Sequence, residues 1–497
     1  MNTASRRRFL SAAAAAGAAF TAVPSRAIAG AKFVAPSDRV NVAFIGAGTQ
    51  GIRQLIDALP RGDMRVAAMC DPNRRSDDYV EWGRNEIRDK VRRFLGDQSW
   101  GADAKGCRCG REIGVELVDR HYAKAGLGWK CAAYADFREM LAEEKGLDAV
   151  YNMTPDHLHG SVVVAAMRLG KHAITHKPVA NVFSESHLAM TTAKETGLAT
   201  HLFCAADKHT TPLMCEWIRA GAIGAVREVH NWTTRPFWPQ GMIELPRERP
   251  PVPDGLDWDL WLGPVPPRPY HPAYTHAVFR GWLEFGSGAL GDMGHYSFSQ
   301  IFRILNLGVP SAVEAGRDQF WKIEDCLWIK QENAVSFPRA SMIRWEFPAR
   351  DGMPPVALHW YDGGMKPPLP AELGEDGEDL PEEGMMFAGD EGTLLADFMG
   401  DNPRLIPARK MRAFAKPPES LPRPLPELDQ WIKACRGGPA TEASFERAWP
   451  WSQTILLGNI ALRVGKKLLW DAAARRFTNS DAANSLLARA YRPGWEL

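Results

Sequence analysis

Six residues, Gly46-Ala47-Gly48-Thr49-Gln50-Gly51, constrain this chain more than any other stretch of it. They spell G-x-G-x-x-G directly after Arg39-Val40-Asn41-Val42-Ala43-Phe44-Ile45, a short and mostly apolar run that reads as a buried parallel strand. Beyond them Ile52, Leu55, Ile56 and Leu59 fall at i, i+3, i+4 and i+7, which predicts a helix stopped by Pro60 and Gly62. Met64 to Cys70 is a second strand closed by Asp71, so residues 39–71 form one βαβ unit. In that setting the first glycine permits a tight turn and the second lets phosphates approach the backbone. The third allows close helix-strand packing, and the helix N-terminus faces the phosphate charge. Asp71, twenty residues after Gly51, stands where a carboxylate accepts from ribose hydroxyls. The pattern points to a bound dinucleotide, NAD or NADP. Asp71 repels a 2′-phosphate and favours NAD, whereas Arg74 and Arg75 are placed to hold one; the sequence leaves both open.

From Arg74 to about Lys130 the chain turns charged and irregular, longer than the usual link between such units, and reads as an insertion. Regularity resumes with a helix at Phe137 to Leu141 and a strand at Leu147 to Met153. A helix from Ser161 to Leu169, stopped by Gly170, and a strand at His172 to Thr175 follow. The alternation runs to about Phe203, which predicts a doubly wound α/β domain over residues 38–204. In residues 205–497 the period changes: Ile343, Trp345 and Phe347 alternate with Met342, Arg344 and Glu346, and Val356, Leu358 and Trp360 alternate likewise. That predicts strands with two unlike faces in an antiparallel or mixed sheet. A chain of 497 residues exceeds what one core usually serves, in keeping with two domains. Residues 246–272 and 417–426 are Pro-rich connections.

Residues 1–29 read as a twin-arginine export leader: Ser5-Arg6-Arg7-Arg8-Phe9-Leu10, an Ala-rich stretch to Val23, and Ala27-Ile28-Ala29 before Gly30. The apolar stretch Phe9–Val23 has 15 residues, short of the ~20 needed to span a bilayer. The expectation is a periplasmic or otherwise exported protein without a stable membrane anchor. Loss of the leader removes four Arg and takes the net charge from +1 to −3 (1 − 4), which gives no footing to a nucleic-acid partner. The eight Cys are sparse, only Cys107 and Cys109 lie close together, and no ligand set of metal-site spacing accompanies them. No metal is expected. Export of folded protein also argues for a dinucleotide loaded beforehand and retained. At ~10⁶ M⁻¹s⁻¹ association, holding it for about an hour takes a Kd near or below ~1 nM.

Three further motifs join the glycine fingerprint: Thr154-Pro155-Asp156-His157-Leu158-His159 after one strand, Lys177-Pro178 after the next, and Gly288-Ala289-Leu290-Gly291-Asp292-Met293-Gly294-His295-Tyr296. Their order and spacing resemble the glucose-fructose oxidoreductase and inositol dehydrogenase family, Gfo/Idh/MocA. The resemblance implies an α/β Rossmann domain followed by an α+β domain with an open, mostly antiparallel sheet, assembled as dimers or tetramers. It implies hydride transfer between a nicotinamide cofactor and the hydroxyl or carbonyl of a carbohydrate or glycoside. It implies cofactor contacts at Gly46, Gly48, Thr49, Gln50, Gly51, Asp71, Thr154, Pro155, His159, His176, Lys177 and Pro178.

Lys177 matches the family's catalytic lysine, able to lower the pKa of a sugar hydroxyl or relay its proton; without the match it reads as a strand-end lysine before a turn proline. His176 replaces the family's usual Glu and can be neutral where Glu is charged. Family dehydrogenases often carry His four residues after the Asp; here that position is Tyr296 and His295 lies at i+3. Tyr296 is the expected proton-transfer group, with Asp292 orienting substrate or base, or merely capping a helix. His295 is either catalytic or packed. Sugar-pocket candidates are Arg235, Trp238, Tyr270, His271, Trp282 and the loop Trp360-Tyr361-Asp362-Gly363-Gly364, each of which also suits core or interface. Two other readings stay open: a glycoside hydrolase or lyase that oxidises transiently with bound NAD, and a sensor or scaffold without turnover.

Overall fold

A computed structural model describes residues 39–203 and 209–497; the expected leader at 1–29 lies outside the described residues. The first domain runs β1 (Val40–Ile45), α1 (Thr49–Ala58), β2 (Met64–Cys70), β3 (Ser76–Tyr79), α2 (Glu86–Leu95), β4 (Cys107–Cys109), α3 (Arg111–Lys124) and β5 (Ala132–Tyr134). It continues through α4 (Phe137–Glu143), β6 (Ala149–Asn152), α5 (Asp156–Arg168), β7 (His172–His176), α6 (Phe183–Thr196) and β8 (Thr200–Phe203). Six strands form one parallel sheet in the order β5-β2-β1-β6-β7-β8. With β3 and β4 set aside, that is the doubly wound order whose direction reverses between β1 and β6. Val42 to Ile45 are buried because β1 lies at the centre with layers on both faces.

The stretch expected as an insertion, 74–130, divides in two. β3 and β4 pair only with each other, outside the sheet. By contrast α3 packs on β2, and β5 pairs with β2, so residues from Arg111 onward supply the crossover of the Rossmann sheet itself. The charged look of α3 comes from its outer face: Ile113, Leu117, Val118 and Tyr122 are buried, while Glu116 and Arg120 pair with each other. α5 also begins earlier than its apolar period suggests, at Asp156, directly after an extended Pro155.

The second domain contains β9 (Val226–Trp232), α7 (Gly288–Leu305), β10 (Ala312–Arg317), the hairpin β11 (Phe320–Glu324) and β12 (Leu327–Gln331), β13 (Ser341–Phe347) and β14 (Val356–Tyr361). After them come β15 (Gly384–Gly389), β16 (Gly392–Ala396), β17 (Arg404–Ile406), α8 (Glu427–Cys435), α9 (Phe445–Val464), β18 (Leu468–Asp471) and β19 (Arg476–Phe477). Nine strands form one sheet in the order β17-β16-β15-β9-β14-β13-β10-β18-β19, antiparallel except for the β14–β9 pair. Ile343, Trp345, Phe347, Val356, Leu358 and Trp360 are buried in one core with residues of α7 and α9, and the indole of Trp345 donates to the Thr454 carbonyl at 3.0 Å. Met342, on the other face, is exposed.

The two domains are stitched rather than merely adjacent. α8 returns to the first domain, where Trp431 and Ile432 complete the core around Tyr151 and Ile174. α9 packs on α6. The seven described cysteines are free thiols, and no described helix is long and apolar enough to cross a membrane.

Candidate active site

A cleft lies over the carboxyl ends of the central strands, where open α/β sheets take their ligands. Gly46, Gly48, Thr49, Gln50, Gly51, Asp71, Thr154, Pro155, His159 and His176 all line it, so ten residues expected at the cofactor meet in one place. The glycines are required by geometry. Gly46 has φ +98°, and a Cβ there would meet the Met153 carbonyl at 2.5 Å; one on Gly51 would stand 2.2 Å from the Gly46 oxygen. α1 opens toward the cleft with no acidic residue in its first turn, which leaves its N-terminal dipole free for an anion. These features fit a dinucleotide.

Asp71 is buried at the cleft wall, where its Oδ2 accepts from the Ala47 amide at 2.6 Å and its Oδ1 from the Asn73 amide at 2.7 Å. Burial raises its pKa to about 6 against the lowering effect of those two amides. Arg74 and Arg75 do not line the cleft; they stand 3.9 Å from Glu112 and 3.6 Å from Asp77. His159 ties two of the motif turns together: its ring nitrogens lie 2.6 Å from the Pro178 carbonyl and 2.7 Å from that of Thr154. His176 is buried, and burial followed by the Lys177 charge pushes its pKa well below the usual value, so it is neutral at pH 7.

Beside the cleft lies a buried ionic cluster. Lys177, 3% exposed, donates from Nζ to Asp292 Oδ1, and Arg280 Nε donates to the same oxygen at 2.8 Å. Burial pushes the Asp292 carboxyl up, but Lys177 and Arg280 together outweigh it and hold the group far below the carboxylate range. Tyr296 follows Asp292 by one helical turn, with its ring centroid 5.1 Å from Lys177 Nζ. The N-cap of α7 is Ser287, whose hydroxyl donates to Asp156 at 2.8 Å; Asp292 sits in the helix interior, facing the two cations. His295 is fully buried, and neither ring nitrogen has a hydrogen-bond partner among the described residues. Burial lowers its pKa to about 3, so it too is neutral.

The sugar-pocket candidates scatter. Tyr270 and Trp282 are buried in an aromatic cluster with Trp261, Tyr274 and Phe285, and the Trp282 indole donates to the Ala273 carbonyl at 2.7 Å. The His271 ring accepts from the Ala273 amide at 3.1 Å, capping a short turn. Arg235 is paired with Glu383 at 2.6 Å, and the Trp238 indole donates to Gln240 at 3.0 Å. Asp362 is buried and bonded to Ser341 and Trp360. Tyr79, His276 and Arg280, by contrast, line the cleft or its border without having been singled out by sequence. No group of three or more His, Cys, Asp or Glu is placed to hold a metal among the described residues.

Known proteins share this fold. The chain is 26% identical over 253 residues to dTDP-3,4-didehydro-2,6-dideoxy-alpha-D-glucose 3-reductase of Streptomyces violaceoruber, covering 48% of this chain and 67% of that protein. It is 28% identical over 113 residues to levoglucosan dehydrogenase of Pseudarthrobacter phenanthrenivorans, covering 21% of this chain and 28% of the relative. Among solved structures, the WlbA dehydrogenase of Bordetella pertussis, in complex with NADH and UDP-GlcNAcA, superposes with TM-score 0.52 at 14% identity, covering 87% of this chain and 99% of that one. The aldose-aldose oxidoreductase of Caulobacter crescentus superposes with TM-score 0.50 at 15% identity over the same shares. At such identities the likeness is one of fold. Residues 112–203 match the description "Oxidoreductase family, NAD-binding Rossmann fold", and residues 222–326 and 370–497 match "Oxidoreductase family, C-terminal alpha/beta domain". Both descriptions are halves of one family, and the chain therefore belongs to the Gfo/Idh/MocA oxidoreductases.

Proposed function

We propose that this protein transfers hydride from a carbinol of a sugar or glycoside to a retained NAD and returns it from the NADH so formed to the carbonyl of a second sugar, which regenerates the NAD. The observation that carries the reading is the Lys177–Asp292 pair, with Tyr296 beside it, at the border of the dinucleotide cleft. The nicotinamide, when bound, supplies the hydride acceptor or donor. Oxidation of an alcohol also needs a group for the hydroxyl proton, and Lys177 Nζ, with the Tyr296 ring 5.1 Å from it, is placed there for that role. Asp292 fixes the position of Nζ, and Arg280 fixes Asp292. The neutral rings of His176 and His295 add no charge to the cluster. Carbohydrate as the substrate class rests on the sugar-acting relatives named above. Export by a twin-arginine leader, cofactor retention and a dimeric or tetrameric assembly complete the proposal.

The test is to purify the full chain, denature it, and assay the supernatant for NAD and NADP by enzymatic cycling, then incubate native protein with aldoses and glycosides, singly and in pairs, and quantify oxidised and reduced sugar products by chromatography, since a retained NAD gives at most one equivalent of absorbance at 340 nm. Near-stoichiometric NAD with turnover on a sugar supports the reading; protein that neither carries nor takes up a dinucleotide sinks it.

NAD rather than NADP is favoured because the Asp71 carboxylate lines the cleft while the arginines do not. With its pKa near 6, Asp71 loses its charge as pH falls from 7.5 to 5.5. Repulsion of a 2′-phosphate then fades, and so does acceptance from a ribose hydroxyl. The ratio Kd(NADPH)/Kd(NADH), measured by fluorescence titration, is expected to fall several-fold over that range, and Asp71→Asn is expected to flatten the change.

A further inference from the structure

We propose that Tyr79 and His276, one from each domain, form a clasp across the dinucleotide cleft that makes the bound cofactor resident; this rests on the reading of the cleft as an NAD site. The Tyr79 ring lies directly on the second glycine of the fingerprint: a Cβ built on Gly48 would meet Tyr79 Cε1 at 3.2 Å. That is the glycine whose missing side chain lets a pyrophosphate approach the backbone. From the opposite wall, the His276 ring packs on Tyr79 with centroids 3.8 Å apart, and its Nε2 stands 3.5 Å from Asp78 of the same strand. The dinucleotide's phosphates therefore cannot enter or leave their seat unless Tyr79 moves, and Tyr79 cannot swing outward without disturbing His276.

Both jaws are anchored. On one side the Thr49 hydroxyl donates to the Val80 carbonyl at 2.9 Å, the Asn73 side-chain amide donates to the Tyr79 hydroxyl at 3.2 Å, and the Gly106 amide donates to the Asp77 carbonyl at 2.7 Å. On the other side the Trp282 indole holds the Ala273 carbonyl, while Arg280 holds the Ala277 carbonyl at 3.1 Å and Asp292 at 2.8 Å. Between these anchors His276 and Ala277 have φ of 56° and 81°, two successive non-glycine residues in the left-handed region. Such backbone persists only where the surroundings over-determine it, and it clusters at ligand clamps. The loop that carries His276 also carries Arg280, so the clasp is continuous with the Lys177–Asp292 cluster. A bound dinucleotide would need the Tyr79 ring to move off Gly48, and His276 is the group that would back it there.

The experiment loads the full chain with NADH, chases with a large excess of NAD, and follows the loss of bound-NADH fluorescence. The variants are Tyr79→Ala, Tyr79→Phe and His276→Gly, the last chosen because glycine adopts φ near +56° without strain and so keeps the fold. The wild type is expected to release NADH over about an hour, and Tyr79→Ala and His276→Gly about thirtyfold faster, since removing a packed aromatic face acts mainly on dissociation. Tyr79→Phe keeps the ring and is expected to stay within about threefold of the wild type. Release from both Tyr79→Ala and His276→Gly within about twofold of the wild type overturns the clasp while leaving the cofactor site intact. If Tyr79→Ala fails to fold, His276→Gly decides alone. A wild-type chain that takes up neither NADH nor NADPH overturns the cofactor reading and the clasp with it.

Discussion

Methionine in place of Lys177 is expected to lower turnover by about 10³-fold while leaving the dinucleotide content unchanged. The magnitude is that of removing one positioned proton-transfer group. Methionine replaces the aliphatic stem and removes Nζ, and Asp292 keeps Arg280 as its partner, so the buried carboxylate is not orphaned. Loss of activity then reports on chemistry rather than on folding. Steady-state rates on the sugar identified by screening, together with dinucleotide released on denaturation, separate the two. A variant that retains a tenth or more of wild-type turnover removes Lys177 from the proton-transfer step.

Alanine at Asp292 is expected to destabilise the fold by about 3–5 kcal/mol, the range measured when one partner of a buried ion pair is deleted. Lys177 is 3% exposed and the Arg280 side chain 16%, and both bond the same carboxylate oxygen. Without it two buried cations face one another with no counter-charge in contact. Asp156 acts on Arg280 and Lys177 only through the field of its charge, and its Oδ2 accepts from the Ser287 hydroxyl at 2.8 Å.

The sign of the pH dependence follows from the depressed acidity of Asp292. A carboxyl whose folded value lies below its unfolded value of about 3.9 contributes stability above that pH and loses it as pH falls further. The gap in denaturation midpoint between wild type and Asp292→Ala is therefore expected to be widest near pH 7 and to narrow below about pH 4. A gap that is constant across this range assigns the cost to lost packing.

Much of this was legible in the sequence because its signals are local. The fingerprint, the periods of α1 and the second strand, and Asp71 lie within one βαβ unit, and they specify both the turn and the ligand end of the sheet. Asp292 and Tyr296 are one helical turn apart, so their shared face is likewise a matter of spacing. What escaped depends on distant partners. Tyr79 meets His276 across nearly two hundred residues, and both stand in segments without hydrophobic period. Arg280 follows an irregular aromatic loop, where nothing marks one arginine as buried against a carboxylate. Tyr270 and Trp282 show the opposite limit: an aromatic residue beside prolines reads equally as a sugar platform or as core, and only the packing around Phe285 decides for core.

The return of α8 to the first domain bears on the order in which the chain is made. Trp431 and Ile432 cover Tyr151 and Ile174, yet they emerge from the ribosome roughly 230 residues after β8 is complete. At about 5–20 residues per second that is a delay on the order of ten to fifty seconds. During it the nascent Rossmann sheet carries an uncovered apolar face, a surface that chaperones bind and aggregation exploits. The first domain is sealed only after α8 has been made, so its maturation is governed by a segment far downstream of its own sheet.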